Sequence, residues 1–547
     1  MPAIRFNFAL QTLQPIVAAA TLSLLPGSLA LAQADVPVAT VDDGDGSTTT
    51  RITQPPNRIS WGDFDTVVDP TRPELGSSDL VAEVVAHEFL ELMSSGNYQQ
   101  ARERALVLTA LAPDRPAGHY NLACAHAQCG DLDEAFASLD AAINLGWRET
   151  AHMSIDPDID PLRRDPRFAA VVEDIRSRVH AEAVVPAPLR ETPWQEIVAE
   201  MQERMPALLD RYHVPGISIA LIRDGNVVFT GAYGVVDVRQ PETAMTSHTL
   251  FLAAAPADLL TAMAAVQLSE KTIWSLDDPV SRWLHQSPLT ESSGADVTIR
   301  SALNHSAGLR YQPISDIYQT IDDDIRFSFT RDRARADAGR STWCPQAYRL
   351  IGRAIELAVS PASSDDSTAT DPQTLDGYLT TLIRGSILRP LGMHHTLPRY
   401  PSGSRYTVAT GHTEYGTPYR MDVIEPRRPS QPMFATAADL GKLVAFFAGR
   451  GENERAPISP GGIIAIETPA DAEGSSSRSF GLGVMVLQPT AGFEANGPCI
   501  ELGNVERGCG SLLRWYPESG DGIVILYNSA TGEPLARQLA HLALGGM

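Results

Sequence analysis

The sequence predicts a multidomain protein in which α-helical repeats precede an α/β (α+β) domain with an antiparallel sheet flanked by helices. Three observations lead to this fold class. The chain has 547 residues, which is enough for two or three domains. An internal repeat of helical character lies before about residue 180. Beyond about residue 190, strand-like runs stand at both ends of a mostly helical region, which favours one sheet packed against helices.

The first 34 residues resemble a secretory signal. Arg5 precedes the short apolar run "PIVAAATLSLLPG", and "ALAQA" offers small residues for cleavage after Ala32 or Ala34. No later run is long enough to span a membrane. We therefore expect residues 1–34 to be a signal peptide and the mature protein to be exported, periplasmic or extracellular, without a membrane span.

Composition narrows the classes of partner. The net charge of −23 argues against nucleic acid and anionic membrane surfaces, which both attract basic patches.

Residues 35–79 are polar and lack apolar periodicity, so we expect a flexible linker there.

A repeat follows the linker. The segments "SGNYQQARERALVLTALAP" and "CGDLDEAFASLDAAINLGW" superpose with Gly96 on Gly130 and Ala101 on Ala135, 34 positions apart. This spacing is similar to that of the tetratricopeptide helix pair, so residues 80–180 are predicted to form a tetratricopeptide-like helical domain. Whether it binds a ligand or only acts as a spacer stays open.

Two hairpins frame the second domain, predicted over residues 190–547. The run "VPGISIALIRDGNVVFTGAYGVVD" has two β-rich halves joined by Asp224-Gly225. Near the end, "SLLRWYPESGDGIVILYNS" predicts a second hairpin that turns around Ser519-Gly520.

The cysteines allow one candidate disulfide. Cys499 and Cys509 would close a short loop, whereas Cys124 and Cys129 lie five apart on one predicted helix and point away from each other. No spacing resembles a zinc site, and adjacent His394 and His395 are expected to face opposite ways, so the sequence predicts no metal site.

Five motifs occur in order along the second domain: "VPGISIALIRDG", "SLDDPVSRWL", "VTIRSALNHSAGL", "ILRPLGMHHT" and "FATAADLGKLVAF". Together they resemble the serine β-lactamase and penicillin-binding-protein superfamily, most of all its class C β-lactamase-like esterases and peptidases. The resemblance covers residues of about 195–530. It implies a serine nucleophile, a lysine one helical turn later, a Tyr-x-Asn element and a strand bearing Lys/His-x-Gly.

The first of these catalytic elements is substituted. Family members read roughly "TLFRIASVSKTFTA" where this chain reads "TLFLAAAPADLLTA", which puts Ala255 at the serine position and Asp258 at the lysine position. A Ser-x-x-Lys motif is absent from the sequence, because Leu268 and Asp439 stand three residues before its two lysines, Lys271 and Lys442.

The other two elements are substituted as well. Against the family's "YSNTNYGLLGRIIE", the segment "WCPQAYRLIGRAIE" places Trp343 at the tyrosine position and Pro345 at the asparagine position. At the third site "ELGNVERGCGSLL" places Leu502 at the Lys/His position. We expect Trp343 and Leu502 to fill the pocket with apolar bulk.

The substitutions at the first site suit a structural helix. Pro256 fits a first helical turn, and Asp258 is expected near the third helical position, where a carboxylate interacts favourably with the helix dipole. The candidate cleft-lining residues are Asp258, Trp343, Cys344 and Asn504.

Two alternatives remain for reactive groups. Asp258 is a candidate general base that activates water, although no partner acid is visible. Cys344 is a candidate nucleophile, although no basic neighbour is visible in the sequence and a buried inert thiol is the simpler interpretation.

The sequence therefore predicts an exported pseudohydrolase that acts as a binding or scaffold protein. It would bind a peptide, a cell-wall fragment or a protein partner through the cleft or the helical repeats, without a cofactor. The alternative is an active hydrolase of esters, amides or peptides that uses other residues.

Overall fold

The computed structural model describes most of the chain in sixteen segments. They comprise residues 38–42, 48–52, 77–148, 150–182, 192–284, 297–311, 329–331, 344, 347–360, 372–397, 400–401, 406–419, 433–451, 455–470, 478–488 and 497–544. The predicted signal peptide and Trp343 lie outside the described residues.

The described residues form two compact units. The first unit runs to Ser177 and includes Glu414–Thr417, and the second unit contains the rest. The strands are β1 Val38–Asp42, β2 Thr48–Ile52, β3 Gly216–Arg223, β4 Asn226–Gly234, β5 Phe251–Ala253, β6 Leu309–Tyr311, β7 Phe329–Arg331, β8 Met433–Ala435, β9 Arg478–Phe480, β10 Met485–Leu487, β11 Cys499–Glu506, β12 Cys509–Tyr516 and β13 Asp521–Tyr527.

The helices are α1 Ser77–Ser94, α2 Tyr98–Leu111, α3 Pro116–Cys129, α4 Leu132–Asn144, α5 Thr150–Ile155, α6 Asp160–Arg163, α7 Arg167–Glu182, α8 Trp194–Arg211, α9 Ala254–Glu270, α10 Ile299–Leu303, α11 Ala347–Val359, α12 Pro372–Ile383, α13 Ala437–Ala448, α14 Pro460–Glu467 and α15 Glu533–Leu544. Short 3-10 turns lie at Pro157–Ile159 and Val280–Arg282, and a π-helical turn lies at Arg384–Leu388. None of the described helices is both long enough and apolar enough to cross a membrane.

The first unit is a succession of helices in which α1 to α4 each pack on the next. Gly96 and Gly130 follow α1 and α3 with φ of 77° and 88°, a left-handed conformation that glycine adopts without steric cost and that ends a helix. Ala101 and Ala135 are fully buried at equivalent places in α2 and α4. The small side chains that align in the sequence therefore stand where helices approach closely.

Two short strands precede these helices. β1 and β2 lie within residues 35–79, for which the sequence predicts a flexible linker, and they pair antiparallel with Val38 opposite Ile52. The physical reason is composition, because both segments are rich in the β-branched residues Val and Thr, which favour strands.

The second unit is built around a seven-stranded antiparallel sheet in the order β4-β3-β13-β12-β11-β10-β9. The hairpin predicted at Asp224-Gly225 joins β3 to β4, with φ of 48° and 70° at its two turn residues. The hairpin predicted around Ser519-Gly520 joins β12 to β13. Because β3 pairs with β13, the prediction of a sheet built from both ends of this domain is confirmed.

Alternation along the central strands separates two apolar layers. In β3, Ile217, Ile219 and Leu221 pack with α8 and α15, whereas Ala220 and Ile222 pack on the side of α9 and α13. This is the period-two pattern of a strand that is buried on both faces. The sheet is thus the middle layer of the unit, and α9 lies against the face that carries the candidate site.

The predicted disulfide is wrong. Cys499 and Cys509 are both thiols. The register of β11 and β12 places Cys509 opposite Glu506 at one end, while Cys499 lies at the other end of β11. At about 3.4 Å per residue, the seven positions between Glu506 and Cys499 keep the two sulfurs roughly 20 Å apart, far beyond disulfide reach. Sequence proximity was misleading because the hairpin extends the intervening chain.

Candidate functional site

The candidate site lies at the start of α9. The helix follows β5 directly, and its N-cap residue Ala253 supplies no side-chain cap. Instead, the backbone N–H of Ala255 donates a hydrogen bond to Oδ1 of Asn504, 3.2 Å away on β11. The first N–H groups of a helix lack intrahelical acceptors, so a distant side chain takes the place of a local cap.

Strand β11 determines which side chains face α9. Leu502 is buried in the apolar core that contains α9, and Asn504 lies two residues later on the same face. Ser511 on β12 is directly opposite Asn504, and its side chain is only 3% exposed. The Ser511 Oγ has no hydrogen-bond partner among the described residues. The sequence indicated Leu502 and Asn504 as candidate residues but not Ser511. The position of Ser511 opposite Asn504 becomes visible only from the pairing of β11 with β12.

Asp258 does not occupy the position that the sequence suggested. Since α9 begins at Ala254, Asp258 is its fifth residue, and the first turn contains no acidic side chain. The predicted interaction with the N–H groups at the helix start is therefore wrong. Pro256 does lie in the first turn, where a missing N–H costs no hydrogen bond.

The environment of Asp258 disfavours its charge. Burial raises the pKa of this carboxyl well above its ordinary range, and the guanidinium of Arg349 only partly opposes that shift. The side chain nevertheless keeps some solvent exposure. A carboxyl in this state holds its proton to higher pH than an exposed aspartate does.

Tyr348 borders Asp258 and is not among the candidate residues that the sequence indicated. Its hydroxyl donates a hydrogen bond to the carbonyl oxygen of Leu303 at 2.5 Å. Burial and the nearby Asp258 carboxylate raise the pKa of this phenol well above its ordinary value. Gly483, at φ 77°, leaves room for the ring, since a Cβ there would lie 3.2 Å from the Tyr348 hydroxyl oxygen. The phenol is thus held as a neutral donor.

Cys344 is buried next to a basic residue that the sequence did not pair with it. Its backbone N–H donates to Nδ1 of His305 at 3.2 Å. Burial lowers the pKa of His305 to about 4, so the ring is neutral at pH 7. Because Nδ1 accepts this bond, the proton of the neutral ring resides on Nε2, and Nδ1 is not available to deprotonate a thiol. His305 therefore orients the Cys344 backbone.

The structure joins some candidates and leaves others apart. It brings Ala255 and Asn504 into contact, with Asp258 one turn further along α9 and Leu502 two residues before Asn504. Cys344 belongs to a neighbouring cluster with His305 and Tyr348. Trp343 lies outside the described residues. At the predicted nucleophile position the chain offers a methyl group, which cannot attack a carbonyl carbon.

The family model described as Beta-lactamase matches residues 196–546. The chain belongs to the beta-lactamase family. The match covers the second unit from α8 onward. Helices α1 to α7 lie outside the match, so family membership applies to the part of the chain that contains the seven-stranded sheet.

Curated relatives bear several names. The chain is 28% identical to Penicillin-binding protein 4 of Amycolatopsis lactamdurans over 40% of its own length and 54% of that protein. It is 34% identical to Esterase EstB of Burkholderia gladioli over 19% of its length and 27% of the esterase. Beta-lactamase of Lysobacter lactamgenus is 24% identical over 67% of this chain and 95% of that protein. The chain thus spans about half of the first relative and about a quarter of the second.

Solved structures show the same fold. A class C beta-lactamase superposes with a TM-score of 0.51 at 19% identity, covering 64% of this chain and 96% of the other. The octameric penicillin-binding protein homologue from Pyrococcus abyssi superposes with a TM-score of 0.50 at 20% identity, covering 63% and 76% of the two chains. The sheet and helices of the second unit are therefore a beta-lactamase-type scaffold.

Proposed function

We propose that this beta-lactamase-family chain is a pseudohydrolase that acts as a binding or scaffold protein. One observation carries the proposal. Ala255 stands where the resemblance places the nucleophilic serine, and its backbone N–H is already engaged by Asn504 at 3.2 Å. Family chemistry requires an attacking oxygen at that position, and a methyl group supplies none.

The neighbouring substitutions support the same proposal. Asp258 at the lysine position supplies a carboxyl in place of the amine, and its raised pKa favours the protonated form, which does not accept a proton. With Leu502 at the Lys/His position, Asn504 falls at the glycine of Lys/His-x-Gly. A side chain there fills space that a glycine leaves open above the helix start. The N–H of Ala255, which points out of the helix end, is therefore satisfied from within the protein rather than by a substrate oxygen.

The binding role draws on both units. We infer that α1 to α4 form a tetratricopeptide-like module, supported by the left-handed Gly96 and Gly130 and by the fully buried Ala101 and Ala135. Such helix pairs present extended surfaces to partners. A peptide, a cell-wall fragment or a protein would bind there or at the cleft beside Asn504. The signal-like first 34 residues support an exported, periplasmic or extracellular protein.

The test is intact-mass spectrometry of the mature protein after incubation with a fluorescent penicillin and, separately, a fluorophosphonate. A catalytically active family member serves as the positive control. We expect no adduct on this chain under conditions that label the control fully. A single stoichiometric adduct would overturn the proposal, and the labelled peptide would identify the nucleophile.

A hydrolase without a covalent intermediate is the second candidate, and the raised pKa of Asp258 is the observation that favours it. In this mechanism Asp258 acts as an acid–base group on a bound water and the probes above remain unreactive. Hydrolysis of chromogenic esters by the wild type that disappears in Asp258→Asn, with unchanged folding, would establish it. If the wild type and Asp258→Asn hydrolysed the esters at the same background rate, this mechanism would be excluded and the proposed binding role would remain.

A further inference from the structure

Two histidines from separate loops meet on the surface of the second unit. His248 lies in the turn before β5, and His395 lies in the turn after the π-helical segment that follows α12. Their ring centroids are 5.7 Å apart with an interplanar angle of 57°. Both side chains are exposed. Among the described residues, no hydrogen bond to a ring nitrogen of either histidine is present.

The backbones that carry these rings are held in place. The N–H of His395 donates to Oδ2 of Asp439 at 2.6 Å, and the N–H of His248 donates to Oγ1 of Thr246 at 3.3 Å. The cation of Lys442 belongs to the same neighbourhood, but Oδ1 of Asp439 accepts a hydrogen bond from its Nζ at 2.8 Å. The charge of Lys442 is therefore paired with the Asp439 carboxylate.

We propose that His248 and His395 form a binding site for one divalent transition-metal ion of the zinc, nickel or copper type. Imidazole nitrogen is a preferred ligand of these ions, with metal–nitrogen distances of about 2.0–2.1 Å. In a tetrahedral site those distances place the two ring centroids roughly 5 Å apart. The observed 5.7 Å therefore closes with a shift of less than about 1 Å. Water completes the coordination shell.

The site differs from a closed structural centre. In the described part of the chain, no group of three or more His, Cys, Asp or Glu side chains converges as a metal site. A two-histidine site is open, so the ion exchanges and keeps positions for water or for an oxygen or nitrogen donor of a bound partner. His394 and His395 are adjacent in the sequence, whereas the pair that meets in space is His395 with His248.

The adjacent His394 provides a matched control. It is also exposed, but its Nε2 lies 4.0 Å from the Cβ position of Gly392, against its own turn. Zinc and nickel titrations of the full chain by isothermal calorimetry should give one equivalent of bound ion. His248→Ala and His395→Ala should each weaken binding at least tenfold, and His394→Ala should leave it unchanged.

A measurement on the wild type alone removes dependence on the variants. Zinc should protect His248 and His395, but not His394, from modification by diethyl pyrocarbonate, as mapped by peptide mass spectrometry. Absence of one-equivalent binding, equal losses in all three alanine variants, or modification of His248 and His395 at the same rate with and without zinc would each overturn the proposal.

Discussion

The Oδ1 atom of Asn504 accepts a hydrogen bond from the backbone N–H of Ala255 across 249 positions of sequence. The contact ties the third strand from one edge of the sheet to the first turn of α9, the helix that lies over it. It satisfies a backbone donor at the start of the helix, so this side chain links the stability of α9 to the position of β11.

We expect Asn504→Ala to lower the free energy of unfolding by about 1 kcal/mol, the usual effect of removing a helix cap. Asn504→Asp should preserve stability, because a carboxylate also accepts the bond and interacts favourably with the helix start. Urea denaturation, followed through the unfolding transition of the second unit, measures the free energy of unfolding of both variants. Equal stability of the alanine variant and the wild type would show that the bond is not a cap.

Asp258→Asn should stabilise the protein at neutral pH by about 1 kcal/mol, since it removes a carboxyl whose ionisation is penalised by burial. A pKa raised in the folded state means that stability declines as the pH rises from the unfolded value, near 4, through the folded pKa. The advantage of the asparagine variant should therefore vanish near pH 4 and grow toward pH 8 in a pH series of urea denaturations.

Asp277→Asn is the control for that series. The hydrogen bond from Arg300 lowers the pKa of Asp277, so this carboxylate stabilises the fold when charged. Its asparagine variant should show the opposite pH trend, with a smaller amplitude because the side chain is exposed. Parallel pH curves for the two variants would contradict the assignment of Asp258.

Ser511→Ala should leave stability unchanged or raise it by up to about 1 kcal/mol, because the buried Oγ has no hydrogen-bond partner among the described residues. Ser218→Ala is the matched control. Ser218 is also a buried strand serine, but its Oγ donates to the carbonyl oxygen of Gly231 at 3.3 Å. Its loss should cost about 0.5–1 kcal/mol by thermal or urea denaturation. If Ser511→Ala lowered the free energy of unfolding more than Ser218→Ala does, the Ser511 Oγ would have to form a hydrogen bond, contrary to this prediction.

Glu501→Gln should destabilise the second unit by roughly 3 kcal/mol. Nε of Arg514 donates to Oε2 of Glu501 at 3.0 Å, Arg537 contacts the same carboxylate, and the Arg514 side chain is only 2% exposed. Burial alone would raise the pKa of Glu501, but the two arginines outweigh it and lower the pKa. The stabilisation is therefore present above the unfolded value, about 4.3, and is lost as the pH falls through the folded pKa.

The exposed pair of Glu200 and Arg204 on α8 is the control for the buried cluster. Nε of Arg204 lies 2.6 Å from Oε1 of Glu200, yet both side chains are more than a third exposed. Glu200→Gln should change stability by less than about 0.5 kcal/mol in the same urea titration. Comparable losses at Glu200 and Glu501 would mean that burial does not decide the strength of these pairs.

Ala101→Leu and Ala135→Leu test the repeat in the first unit. Both alanines are fully buried, so each enlarged side chain should destabilise the helices by about 1–3 kcal/mol through overpacking. Because the two alanines occupy equivalent places in the two repeats, both variants should lose a similar amount of stability. Thermal denaturation followed by circular dichroism measures that loss. A large loss at one position and none at the other would contradict the superposition of the two helix pairs.

Features that depend on local chemistry could be predicted from the sequence. Asp224-Gly225 specified a two-residue turn, because both residues adopt positive φ readily, and the β-rich runs on either side of it specified the two strands. The alignment of Ala255 and Leu502 with family catalytic positions rests on the scaffold motifs around them and stays a prediction.

Features that depend on register could not be predicted in the same way. Asn504 meets Ala255 only because β11 pairs with β12 in one specific register and α9 begins at Ala254 rather than two residues later. The same register separates Cys499 from Cys509, although ten positions of sequence made their pairing plausible. His305 and Cys344 lie 39 residues apart, so their contact needed the fold.

The pairing of β3 with β13 also has a consequence for synthesis of the protein. About 300 residues separate Arg223 from Asp521, so β3 leaves the ribosome long before its partner exists. Until β13 arrives, the emerging chain exposes one unpaired edge of an apolar strand, the kind of surface that attracts aggregation and chaperones. Completion of the central layer therefore waits until about 300 further residues have been synthesised.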